Sequence, residues 1–131
     1  MFVSPREDFD FKPLWGGLVQ LQGNLFYIDR LIGPFYVPNN FQCDLASYKV
    51  VSKVLFDKLG DSMRPAVVHD WIYTTQPVDV SRADADRIFR EALILEEVNP
   101  KVAWLQWAGV RAGGWVAWNT HARRNAKKLR G

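Results

Sequence analysis

Short apolar and alternating runs fill residues 14–37, and a helical spacing replaces them after Asp44. Residues 17–22 (GLVQLQ), 24–29 (NLFYID) and 34–37 (PFYV) are separated by Gly23-Asn24 and Gly33-Pro34 and closed by Pro38-Asn39-Asn40. Period-two runs bounded by turn residues predict a small N-terminal antiparallel sheet of about three strands, a hairpin plus one more. Beyond Asp44 the apolar positions recur every three or four residues. Val50, Val51, Val54, Leu55 and Leu59 mark a helix over 46–59, which Gly60 can end. Pro65 suits the first turn of a second helix running to about Thr75. Ser81 with Asp84 three residues on resembles a capping box and opens a third helix over about 82–97, with Ala85, Ile88, Phe89, Ala92 and Leu93 as its apolar stripe. Asn99-Pro100 starts a fourth from about Lys101. The expected fold is α+β: the sheet, then about four helices, with an antiparallel helix pair at the centre.

Composition narrows this picture. At 131 residues the chain fits one domain, 1–122, followed by a basic segment, 123–131. Six Trp, eight Phe and four Tyr can build a core unaided, and the single Cys43 excludes an internal disulfide framework or a multi-thiolate metal site. The net charge of +3 belongs to the end of the chain: without Arg123, Arg124, Lys127, Lys128 and Arg130 there remain 12 basic against 14 acidic residues. The body therefore has no electrostatic support for specific nucleic-acid binding. The basic segment reads as a solvated, frayed terminus, with contact to phosphates or anionic lipid as the alternative. Residues 1–10 carry three acids and no apolar core of a secretory signal, and the run 102–118 is broken by Gln106, Arg111 and Gly113-Gly114. Synthesis as a soluble protein in a reducing cytoplasm is the expectation.

Chemistry concentrates in three places. In residues 66–73 (AVVHDWIY), His69 and Tyr73 fall one helical turn apart on one face, and Asp70 is turned roughly 100° away. A histidine whose second nitrogen is fixed by a carboxylate is what water activation needs, and Asp70 offers oxygen to a hard cation such as calcium. The alternative is a buried histidine bonded to backbone or to Tyr73. On the following helix Asp86 borders the inward face. A carboxylate there needs a partner, either Arg82 one turn earlier or His69 on a facing antiparallel helix. At 41–47 (FQCDLAS), Asp44 and Ser47 can cap the helix after them or face the His69 helix.

Taken in order, Asp44-Leu-Ala-Ser47, His69-Asp-Trp-Ile-Tyr73, Ser81-Arg82, Ala85-Asp86, Phe89 and an aromatic helix ending Gly-Trp resemble a small phage and prophage family known only as a domain of unknown function. The resemblance spans about Phe41 to Trp118 and implies a bacteriophage origin. More distantly, His-Asp-x-x-Tyr on one helix and an Asp on the next is similar to the phospholipase A₂ active site. That likeness implies His69 as general base on water, Tyr73 and Asp86 as the groups orienting it, and Asp70 as a calcium ligand; Asp44 is a separate candidate to substitute as a ligand. No glycine-rich calcium loop precedes His69, so the similarity is confined to the helix pair.

The last helix carries Trp104, Trp107, Arg111, Trp115 and Trp118 at spacings of three and four. This stripe reads as a core face with Arg111 stacked on an indole, as an interface to other phage structural proteins, or as a membrane-surface helix. Two functions follow. One is a virion-associated or accessory phage protein, at the tail for example, docking partners through the aromatic helix or a sheet edge. The other is a small metal-assisted hydrolase acting on a lipid ester or cell-envelope component.

Overall fold

The computed structural model describes residues 1–15, 18–44 and 62–130. Five strands come first: β1 (Asp10–Pro13), β2 (Leu18–Gln22), β3 (Leu25–Asp29), β4 (Gly33–Val37) and β5 (Gln42–Asp44). Three helices follow among the described residues: α1 (Met63–Thr75), α2 (Arg82–Leu95) and α3 (Pro100–Arg130). The fold is α+β, as the periodicities imply. The helix expected over 46–59 lies outside the described residues.

The strands do not form one sheet. β1, β2 and β5 make an antiparallel three-stranded sheet in the order β1-β2-β5, and β3 with β4 is a separate two-stranded hairpin. Gly23, with a φ of 95° that glycine adopts at little cost, lies in the link between β2 and β3, which do not pair. The hairpin is therefore the pair on either side of residues 30–32. β1 and β5 carry no alternating signal: Asp10–Pro13 is exposed along most of its length and ends in proline, and β5 is three residues long. Within β2, β3 and β4 the period-two reading holds. Val19, Leu21, Leu25, Tyr27, Phe35 and Val37 point into one core while their neighbours face outward.

α1 and α2 run antiparallel, as three cross-contacts show: Tyr73 and His69 both reach Asp86, His69 lies on Phe89, and Arg64 pairs with Glu96. α1 is buried nearly all round because it packs against β4 and β5 on one side and α2 and α3 on the other. α2 buries only its stripe, Ala85, Ile88, Phe89, Ala92 and Leu93, together with Asp86. Its start is the expected capping box: the Asp84 amide donates to Ser81 Oγ at 3.0 Å and the Ser81 amide donates to Asp84 Oδ2 at 3.0 Å. The hairpin is tied to α2 by Arg87, whose guanidinium donates to both Asp29 oxygens at 3.0 and 2.9 Å.

α3 is one 31-residue helix. The basic residues expected as a frayed terminus continue it to Arg130. Cations in the last turns complement the negative end of the helix dipole, and Asn125 Nδ2 holds this part of α3 to α1 through the Thr74 carbonyl at 3.0 Å.

Candidate functional site

Asp86 is the centre of the site. Its position on the inward stripe of α2 leaves it 0% exposed, and four side chains from three helices converge on its carboxylate. His69 Nε2 lies 2.7 Å from Oδ1, and the Tyr73 hydroxyl donates to the same oxygen at 2.7 Å. Arg111 of α3 donates to Oδ2 at 2.8 Å, and Arg82, one turn before Asp86, approaches Oδ2 at 3.4 Å. Arg82 also donates to the Val110 carbonyl at 3.1 Å, so one guanidinium binds α2 to α3.

The protonation states follow from these contacts. Burial works against the charge of Asp86, but hydrogen bonds from His69, Tyr73 and Arg111 more than offset it and hold the carboxyl below its ordinary 3.8. Burial dominates at His69 and lowers its pKa below 6.5, with Asp86 acting in the opposite sense. The pair at neutral pH is therefore an ionised carboxylate and a neutral imidazole. An ionised carboxylate only accepts, so the hydrogen sits on Nε2 and Nδ1 carries the lone pair. Burial, reinforced by Asp86, pushes the Tyr73 phenol well above its ordinary range, so it remains a donor.

Packing fixes the imidazole as firmly as the hydrogen bonds do. The His69 ring lies between Tyr73, at 4.3 Å between centroids, and Phe89, at 4.8 Å. Trp118 meets Tyr73 edge-on at 5.1 Å. Gly114 allows α3 to come this close: a Cβ there would sit 2.6 Å from the Tyr73 hydroxyl and 3.3 Å from Arg82 Nη1.

Three of the residues singled out from the sequence, His69, Tyr73 and Asp86, thus meet on one carboxylate. Both partners considered for Asp86, Arg82 and His69, are present together. Asp70 is half-buried on the next face of α1. Asp44 ends β5, and its side chain, like Ser47, lies outside the described residues. Among the described residues no three His, Cys, Asp or Glu side chains gather as a metal site. The described donors therefore do not make up the calcium site that the phospholipase likeness implies.

Two participants were not foreseen. One of the three readings of the aromatic stripe stacks Arg111 on an indole. Instead its guanidinium reaches Asp86, because the stripe straddles the edge of the packing: Trp107, Arg111 and Trp118 turn partly inward while Trp104 and Trp115 stay exposed. The cation–π contact goes to Trp107 from Arg90, at 5.5 Å. Gly114 was the second. A glycine pair inside a helix is the sequence signal of close approach, but it does not say to what.

Residues 19–110 match the model of DUF1353, a family of proteins of unknown function. The match covers well over half of the chain, and the chain belongs to that family. No curated protein and no solved structure matches it.

Proposed function

We propose that the chain is a small phage-encoded hydrolase in which His69 activates water for attack on an ester of a lipid or cell-envelope component. One observation carries this reading: His69 Nε2 and the Tyr73 hydroxyl share Asp86 Oδ1 at 2.7 Å each. That sharing fixes the tautomer and makes Nδ1 the proton acceptor. In the reaction Nδ1 takes a proton from water as its oxygen bonds to the ester carbonyl carbon. The imidazolium formed is stabilised by the Asp86 carboxylate. When the tetrahedral intermediate collapses, the bond to the alcohol oxygen breaks and His69 returns the proton to it. Tyr73 is a positioning residue, acting through Asp86.

The test is turnover of a short-chain p-nitrophenyl ester and of phosphatidylglycerol vesicles by the wild type, His69→Gln and Tyr73→Phe. The expected result is a loss of at least about a hundredfold in His69→Gln with an unchanged circular dichroism spectrum. Tyr73→Phe should lose less and show a shifted pH–rate profile. Turnover that survives in His69→Gln, or none in the wild type, overturns the reading.

A second reading is favoured by the two arginines on Oδ2, which tie α3 to the helix pair as a buried lock would. In it the protein is a virion-associated accessory part, made in the host cytoplasm, whose aromatic helix or sheet edge docks other phage structural proteins. His69→Gln particles would then assemble normally.

A further inference from the structure

Charge is divided unevenly between α3 and the remainder. Lys101, Arg111, Arg123, Arg124, Lys127, Lys128 and Arg130 give this helix seven cations with no acidic residue, while the rest of the chain has ten basic against fourteen acidic residues. Among the described residues, none of the five cations from Arg123 to Arg130 is ion-paired, and all five are exposed.

The same outward face carries large apolar side chains. Trp104, Leu105, Trp115 and Val116 are 50, 48, 55 and 53% exposed. At 100° per residue these four and Arg123, Lys127 and Arg130 fall within roughly one-third to two-fifths of the helix circumference, along about 39 Å of axis. Pro100, Lys101, Trp104 and Leu105 line an open, almost wholly apolar groove at its start. No helix among the described residues is long and apolar enough to cross a membrane.

We infer that the outer face of α3 docks on an anionic lipid surface, lying in the plane of the headgroups. The cations match its negative charge, and indole and aliphatic side chains beside them suit the boundary between headgroups and acyl chains. A nucleic-acid duplex would meet the cations but leave Leu105 and Val116 against phosphate or water, so the apolar half of the face favours lipid. Docking does not depend on the chemistry of His69.

The experiment is co-sedimentation of the full chain, as wild type and as His69→Gln, with vesicles of phosphatidylglycerol and phosphatidylcholine (3:7) and of phosphatidylcholine alone. Both proteins should bind the anionic vesicles, with a blue shift in tryptophan fluorescence, and release in 0.5 M salt. Each cation within reach of the surface contributes about a fivefold factor, so Arg123→Glu/Lys127→Glu/Arg130→Glu should weaken binding by well over tenfold. Trp104→Ser/Trp115→Ser should weaken it and remove the blue shift. Circular dichroism establishes that each variant is folded. Equal binding to both vesicle types, binding unchanged in folded variants, or binding to duplex DNA without binding to vesicles would overturn the inference.

Discussion

Two of the buried carboxylates, Asp29 and Asp86, are held differently. Asp29, 3% exposed, receives both nitrogens of Arg87 and the backbone amides of Leu31 and Ile32 at 3.2 and 3.0 Å. All of these donors are permanent: an arginine does not lose its proton and an amide has nothing to titrate. Asp29 closes the β3–β4 hairpin and fastens it to α2. Asp86 receives two arginines as well, but its other oxygen takes a histidine and a phenol. Only that second arrangement contains a group that can change its protonation near neutral pH. Burial and charge pairing are common to both sites, so neither feature alone distinguishes a structural anchor from a chemical site. The difference lies in the donors.

The largest expected effect breaks each hub in turn. Asp86→Ala leaves Arg82, Arg111, His69 and Tyr73 without their common acceptor and should cost about 3–5 kcal/mol, the range for removing one partner of a buried pair. Asp29→Ala should cost less, because Arg87, 24% exposed at its side chain, can turn to water or to Glu91. Urea denaturation of both variants checks the order. An Asp29→Ala loss equal to the Asp86→Ala loss would remove the distinction between the hubs.

Next are the two adjacent glycines of α3. Gly114→Ala places a methyl carbon against the Tyr73 hydroxyl and should cost about 1–3 kcal/mol by overpacking. Gly113→Ala meets nothing within 4 Å and should stabilise the helix by up to about 1 kcal/mol. Thermal melts of the pair test whether α3 is seated on Tyr73, since opposite signs are expected from neighbouring positions.

The pH dependence separates the hubs without disturbing either. The pKa of His69 is lower in the folded than in the unfolded protein, so the unfolded state binds the extra proton first. The contribution is complete above pH 6.5 and is lost as pH falls from 6.5 toward the folded value. Asp29 and Asp86 are also held down, so their contributions are present above about 3.8 and lost below it. Stability should therefore decline in two stages on acidification, and His69→Gln should lose most of the first stage while keeping the second. Denaturant midpoints between pH 8 and pH 3 give the comparison.

The smallest effect belongs to the exposed edge of the Asp29 cluster. Arg30, 64% exposed at its side chain, donates to Glu91 at 2.7 Å, and Arg30→Ala should change stability by at most about 1 kcal/mol. A larger loss would mean that the cluster acts as one network.

Much of the local structure was legible in the sequence. The alternating runs of β2, β3 and β4 and the stripe of α2 depend on nearest-neighbour periodicity, and the Ser81–Asp84 cap depends on residues three apart. His69 and Tyr73 share a face for the same local reason. Sheet membership was not legible, because the partners of β2 are β1 and β5, neither of which has a period-two signal of its own. Nor was the role of Arg111, which lies 25 residues from Asp86 and has the same spacing as residues that stay on the surface.

The sequence by itself therefore determined that β2, β3 and β4 are strands and that α1 and α2 are helices, that His69, Tyr73 and Asp86 are candidates for one site, and that positive charge gathers over residues 123–130. Those properties are carried by spacing and composition, which act over one or two turns. Tertiary structure decided that His69, Tyr73, Arg82 and Arg111 meet on one carboxylate, and that half the aromatic stripe faces out. A fully buried charge must be answered by whichever donors the packing of three helices brings to it, and no local rule specifies that packing.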